Sequence, residues 1–268
     1  MSRLRSIFNQ VWPRLAAIGG LIAVWWLASG LDIFAFPGAL PSPPEVGSAL
    51  VNNWSEALGS TEGIGSALIK SVIRLGFGML VAIVFGTVIG LAMGSSQFIQ
   101  RSVGSLITGL QALPSISWLP LAVLWFGITE RAVMFVVIIA AIPAVAIAAA
   151  NAVRLVPPLL IRAGRTLGAR GWGLYRSVVL PAAVPGYIGG LQQAWALAWR
   201  ALMAGELIVT AGAQGLGHLQ LVARNQFQAD VVIAIMVAII VIGMIVEFGF
   251  SALDRRVRGR RGLLISPA

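Results

Sequence analysis

The chain has 268 residues, of which 58% are hydrophobic and only 10% charged, and its mean hydropathy is +0.91. A soluble domain carries about 25% charged residues, so there is too little polar surface here to cover a globule in water; a disordered chain, a nucleic-acid module and a disulfide-stapled scaffold are equally poor fits. What the composition fits is a polytopic bundle of transmembrane helices, and the net charge of +10 has to be read against that background. The absence of cysteine removes thiol nucleophiles and cysteine-ligated metals. The single lysine, Lys70, follows Ile69, so no G-x-x-x-x-G-K-[ST] phosphate loop exists, and any ATP must be bound by another chain.

Six segments are apolar and long enough to span a bilayer: about 15–35, 75–97, 103–126, 132–152, 186–209 and 229–252. The first follows Arg3, Arg5 and Arg14; Trp25, Trp26 and Leu27 prolong it, no A-x-A site ends it, and it reads as a retained signal anchor. A loop at about 36–65, with Pro37, Pro41, Pro43 and Pro44, reads as an irregular connection ending in a short amphipathic run near Ile64–Ile73. Arg74 opens the second span and reads as a snorkelling anchor. In the third span Pro114 and Pro120 each remove a backbone hydrogen bond and predict a kink or hinge. The freed carbonyls, with Gln111, Ser115 and Ser117, could line a cavity, although such kinks also serve plain packing.

The basic residues order the spans. Arg3, Arg5, Arg14, Arg101, Arg154, Arg162, Arg165, Arg170, Arg176, Arg255, Arg256, Arg258, Arg260 and Arg261 all fall on one side of a six-span arrangement. The other side holds Asp32, Glu45, Glu56, Glu62, Glu130 and Asp230 against Lys70, Arg131 and Arg224. The positive-inside rule then places both termini in the cytoplasm, and the high charge is a matter of topology rather than of nucleic-acid binding.

The cytoplasmic loop at about 154–181 has its own grammar. Pro157 and Pro158 suit a helix start, Leu160, Gly164 and Leu167 form an apolar stripe with Arg162 and Arg165 pointing elsewhere, and Gly168 is placed for a left-handed cap. A second short run, Leu174 to Leu180, is expected to stop at Pro181. Helix, glycine turn, helix and proline stop make a shape that docks into a partner's groove.

The frame Gly168-x9-Val178-x-Leu180-Pro181, with Ala163 and Gly164 upstream, resembles the E-A-A-x3-G-x9-I-x-L-P loop of ABC-importer permeases. Leu40-Pro41-Ser42-Pro43-Pro44-Glu45-Val46, the stretch Pro114 to Gly127, Ala198-Trp199-Arg200, Gly205-Glu206-Leu207 and Gly215-Leu216-Gly217 are similar to the branch that imports nitrate, sulfonate, taurine or bicarbonate. The resemblance covers roughly residues 40–255. It implies that Arg162, Ala163, Gly164, Arg165, Leu167, Gly168, Ala169, Leu180 and Pro181 couple the chain to an ATPase subunit. The motif's glutamate is Arg162 here and its second alanine is Gly164, so any contact made by that glutamate does not carry over.

In the fifth span Gln192, Trp199, Met203, Glu206 and Thr210 fall within about 40° of one line, with Gln193 and Arg200 on the flank. Two readings stand for Arg200 and Glu206: a pathway wall, in which Arg200 offers charge to an anionic solute, or ion pairs that fix the bundle. With Pro114, Ser115 and Ser117 from the third span, these residues are the candidate translocation pathway. In the sixth span Glu247 lies near enough to the inner end to reach the interface. His218, the single histidine, reads as a solvated loop residue, and no metal site or cofactor is expected.

The sequence therefore predicts an all-α, six-transmembrane-helix protein, with a permease domain over 15–255 between a cytoplasmic stretch 1–14 and a basic tail 256–268. The resemblance implies the type I ABC importer permease fold in a bacterial plasma membrane. It also implies a second permease copy as homodimer partner, two cytoplasmic ATPase subunits and an external solute-binding protein. The expected solute is a small anion, aliphatic sulfonate first, then taurine, nitrate or bicarbonate. An ion-coupled secondary carrier is the rival class; it would need midplane coupling groups, and the six-span length and few intramembrane carboxylates argue against it.

Overall fold

The computed structural model of the chain describes residues 2–31, 40–55, 63–209 and 214–260, with backbone alone at 2–11, 14 and 15. Asp32, Pro37, Glu56, Glu62, Thr210, Arg261, the end of the tail, and the side chains of Arg3, Arg5 and Arg14 lie outside that description. The regular elements among the described residues are all helical. They fall into two compact units, Met1–Ser66 with Leu219–Ile239, and Ala67–His218 with Ile240–Ala268.

In the first unit, α1 (Ser2–Ser29) is followed by α2 (Pro43–Asn52). The proline-rich stretch expected to be irregular is thus partly a helix. Pro43 and Pro44 occupy first-turn positions, where a missing N–H costs nothing, and the Glu45 carboxylate accepts from the Ser42 backbone N–H at 2.7 Å. Val46 and Ala49 are buried, and the indole N–H of Trp25 donates to the Pro41 carbonyl at 3.1 Å. The run Ile64–Ile73 is not a separate amphipathic piece either: it is the first part of α3 (Ile64–Ser95), a continuous helix with a mean hydropathy of 2.3 over its most apolar window.

The second unit is organised around α6 (Glu130–Arg154), whose alanines and valines are buried along most of its length. Helix α3 lies close against it because Gly78, Gly86, Gly90 and Gly94 recur on one ridge; a Cβ at Gly86 would stand 2.8 Å from both the Ile142 carbonyl oxygen and Val145 Cβ. Small residues at four-residue spacing allow such approach between membrane helices, where dispersion rather than the hydrophobic effect holds the pair. On another face of α6 packs α9 (Leu180–Ile208), with Gly190 against Ala148 and Gly205 against Val133. A Thr87–Tyr187 hydrogen bond ties α3 to α9.

The third expected span is broken outright. Helices α4 (Gln97–Ala112) and α5 (Leu119–Phe126) flank a short 3-10 turn at Ser115–Trp118 and meet at 95°. Pro114 excludes the helical region for Leu113, which is extended at φ −69°, ψ 127°. Pro120 then restarts the chain at the head of α5, and Gly127, at φ +70°, ends it.

Among the described residues three helices are long and apolar enough by themselves to cross a bilayer: α3, α6 and α11 (Ala229–Arg260); the bent pair would be a fourth if it counts as one span. The apolar part of α1 is shorter, Ala16–Ser29, and α9 carries Gln192, Gln193, Arg200 and Glu206 along its length.

Candidate functional site

The candidate residues converge on three places, all in the second unit. The first is the loop after α6. Here α7 (Pro158–Thr166) ends at Leu167, and Gly168 stands at φ +87°. The Gly168 N–H donates to the Arg165 carbonyl and the Ala169 N–H to that of Gly164, both at 3.0 Å. These two bonds close a Schellman cap that satisfies helix-end carbonyls and requires the left-handed residue.

The chain then turns through α8 (Gly171–Leu174) and one π-helical turn, Tyr175–Val179, straight into α9. Pro181 therefore does not stop the second run, contrary to the sequence expectation. A proline ring in an α-helix collides with the carbonyl four residues back. In the π turn the Leu180 N–H donates to the Tyr175 carbonyl, five residues back, and this wider turn relieves the collision so that the helix continues.

The two arms of the loop meet at Gly164, which is buried; a Cβ there would lie 2.8 Å from Val178 Cγ2 and 2.9 Å from Leu174 Cδ1. Close approach accounts for glycine where the resembled motif has alanine. The expected stripe is not buried as a set, since Leu160 and Leu167 are exposed: the contact is made by main chain at Gly164, and both leucines are left to the side of it. Arg162, Ala163, Arg165, Gly168 and Pro181 are also exposed, while Ala169 and Leu180 are half-buried.

The second place is a cavity of about 420 Å³ between the broken span, α6 and α9. Gln111, Pro114 and Ser115 line it from the break, Ile139, Ala140 and Pro143 from α6, and Leu197, Arg200 and Ala204 from α9. The Arg200 Nε donates to the Ala196 carbonyl at 3.1 Å, and among the described residues Arg200 forms no ion pair. An exposed guanidinium thus faces a space whose opposite wall is an interrupted helix bearing an amide and a hydroxyl.

Of the predicted pathway residues, the structure brings together Pro114, Ser115 and Arg200. Ser117, Gln192, Trp199, Met203 and Glu206 are not in that lining. Trp199 is buried and stacks on Trp195 at 6.3 Å, and Gln192 donates to Glu247 of α11. On α9 the residues that face this cavity are Leu197, Arg200 and Ala204, at spacings of three and four, a stripe adjacent to the one drawn from sequence.

The third place is a buried ionic cluster around Glu206, itself wholly buried. Its carboxylate accepts from the Arg74 guanidinium, from Ser71 Oγ at 2.8 and 3.0 Å, and from the Gly217 N–H at 3.0 Å. Ser71 Oγ in turn accepts from the Leu216 N–H at 2.9 Å, and Arg74 Nε donates to Glu130 at 3.0 Å. Glu206 is therefore a fully buried pairing residue. Arg74 is not a snorkelling anchor: it is 5% exposed, drawn inward by two carboxylates.

The glycines of Gly215-Leu216-Gly217 are explained by the same carboxyl side chain. A Cβ on Gly215 would overlap its oxygens, and one on Gly217 would lie 2.7 Å from Glu206 Cβ. His218 belongs to α10 (Leu216–Asn225), is half-buried with its Nδ1 enclosed, and is not a solvated loop residue. Helix α10 begins where the Leu216 and Gly217 N–H groups are held by the cluster.

Residues 82–259 match the family of binding-protein-dependent transport system inner membrane components. The chain belongs to this family. It is similar to the taurine transport system permease protein TauC of Escherichia coli, 31% identical over 93% of this chain and 90% of that one. It is also similar to the putative aliphatic sulfonates transport permease protein SsuC of Escherichia coli, 30% identical over 88% and 87%. The nitrate import permease protein NrtB of a Synechocystis strain is 25% identical over 90% and 87%. Among solved structures, an inward-facing MetNI methionine ABC transporter chain overlays with a TM-score of 0.64, covering 72% of this chain and 94% of that one at 20% identity. The fold is that of type I ABC importer permeases, and the chain is an inner-membrane permease component.

Proposed function

We propose that this chain is the membrane pathway subunit of an ATP-driven importer, and that its solute is a small anion bearing an oxyanion group, aliphatic sulfonate first. The observation that carries the solute class is Arg200: an exposed cation, with no acidic partner among the described residues, facing a cavity beside the broken span. An uncompensated charge within a membrane segment is costly and marks a solute path. The relatives named for taurine, aliphatic sulfonates and nitrate support the same class.

In this reading six segments cross the membrane, α1, α3, the bent pair α4–α5, α6, α9 and α11, with both termini cytoplasmic. A second copy of the chain completes the pathway, two ATPase subunits sit under the loop 154–181, and a solute-binding protein delivers from outside. The loop's exposed arginines and leucines, with the capped Gly168 turn between its arms, support that placement.

The test begins with tagged purification from native membranes. An ATPase subunit at equal stoichiometry and vanadate-sensitive ATP hydrolysis are expected, and a deletion strain should fail on sulfonates as sole sulfur source while growing on nitrate as sole nitrogen source. Transport in proteoliposomes by the chain alone, without ATP, would overturn the reading in favour of a secondary carrier.

A further inference from the structure

Helix α7 has one fixed face. Gly164 is buried against Leu174 and Val178, so the direction opposite Gly164 is the crest presented to a partner. At about 100° per residue, that crest falls between Arg162 and Leu159, with Thr166 one turn on. Arg162 is exposed and Leu159 is 75% exposed. Thr166 Oγ1 donates back to the Arg162 carbonyl at 3.1 Å, so the backbone here is already satisfied and only side chains remain to make contacts.

The charge around the crest is of one sign. Between Glu130 and Glu206 there is no acidic residue, whereas the loop contributes Arg154, Arg162, Arg165, Arg170 and Arg176. Among the described residues Arg162 has no ion pair within the chain. Arg165 and Arg170 also border a shallow concavity of about 530 Å³ with Ala169 and Gly171. The apolar side of the same surface is open too, with Leu155, Leu167 and Trp172 each more than two-thirds exposed.

We infer that Arg162 is the specificity-determining contact of this loop, and that the ATPase subunit it fits presents a carboxylate to Arg162 on the rim of an apolar groove that takes Leu159 and Ala163. The inference rests on the reading of the chain as an ATP-driven permease and adds the sign of the partner's charge. A protein cleft suits the helix better than a lipid surface. Nine residues of α7 span only about 13 Å, and its charged and apolar arcs meet at the crest, where a cleft can enclose both. Like-charge juxtaposition at an interface rejects wrong partners more strongly than a correct pair adds affinity, so an ATPase with a cation at that place is excluded.

The experiment uses the full chain in nanodiscs of neutral lipid with the ATPase subunit that co-purifies with it. Arg162→Glu should lower capture of that ATPase by about tenfold or more and Arg162→Gln by a few-fold. Raising salt should weaken the wild-type complex more than the Gln variant. Because the chain has no cysteine, Ala163→Cys gives a unique attachment point for a photo-crosslinker. The crosslinked ATPase surface should contain an Asp or Glu whose change to Lys restores capture by Arg162→Glu.

Capture by Arg162→Glu equal to wild type, or a crosslinked surface without a carboxylate, overturns the inference while leaving the importer reading intact. An effect of Arg162→Glu that arises only with anionic lipid assigns the arginine to the membrane instead and overturns it as well. Failure of the wild-type chain to hold any ATPase would overturn the importer reading itself, and the inference with it.

Discussion

Arg200 and Glu206 sit six residues apart on α9, and the helix treats their charges in opposite ways. Glu206 is fully buried and surrounded by donors: a guanidinium, a hydroxyl and a main-chain N–H. Arg200 is exposed, gives one hydrogen bond to its own helix, and faces a cavity. Six residues turn the helix by about 240°, so the two side chains leave on different faces, one into packed protein and one into open space. The difference separates two uses of intramembrane charge. The buried charge is matched by donors on all sides, whereas the exposed one leaves most of its donor capacity unused among the described residues.

Variants at each end can break this contrast. The largest effect is expected from Glu206→Ala, which leaves the buried Arg74 cation with only the half-exposed Glu130 as a partner; losing one partner of a buried pair costs about 3–5 kcal/mol. A sharply reduced yield of folded chain in membranes and a lowered melting temperature in detergent should report it, and a normal melting curve would mean the cluster is not structural. Gly217→Val is next, at about 1–3 kcal/mol of overpacking, because its Cβ would stand 2.7 Å from Glu206 Cβ and 2.9 Å from the Met203 carbonyl oxygen. Thermal unfolding of the purified variant measures this.

Gly168→Val should cost about 1–2 kcal/mol, since it forces a β-branched residue into the left-handed region. Its larger consequence should be functional, with ATP hydrolysis continuing while uptake falls; coupled uptake at wild-type rate would remove Gly168 from the coupling machinery. Arg200→Gln should be the mildest for the fold, within about 0.5 kcal/mol, yet uptake should drop about tenfold or more. A drop in stability that matches the drop in uptake would place Arg200 with Glu206 as a structural residue and erase the contrast.

The parts legible in the sequence were those written in local chemistry. Gly168 after an amphipathic turn specifies a left-handed cap without reference to anything distant, and the cap is there. Pro114 and Pro120 announced an interruption, which Pro114 makes by holding Leu113 extended, although its 95° size is not written in either proline. What stayed hidden was long-range pairing. Arg74 and Glu206 are 132 residues apart in the chain, and nothing local distinguishes a snorkelling arginine from one buried against a carboxylate. Pro181 misled for a related reason: the rule that proline ends a helix assumes α geometry, and one π turn suspends it. Which stripe of α9 meets the broken span is a fact of packing that periodicity does not contain.

The π turn also bears on how force passes through the subunit. Because helix is unbroken from Gly171 through Ile208, the arm after the Gly168 turn and the cavity wall at Arg200 belong to one rod, with about 44 Å between Gly171 and that residue. A flexible tether transmits only tension, whereas a rod also transmits thrust and torque. If an ATPase sits beneath the loop as proposed, its closing and opening would each drive the cavity wall, in opposite directions, through the same piece of backbone. The one widened turn in that rod lies at Tyr175–Val179.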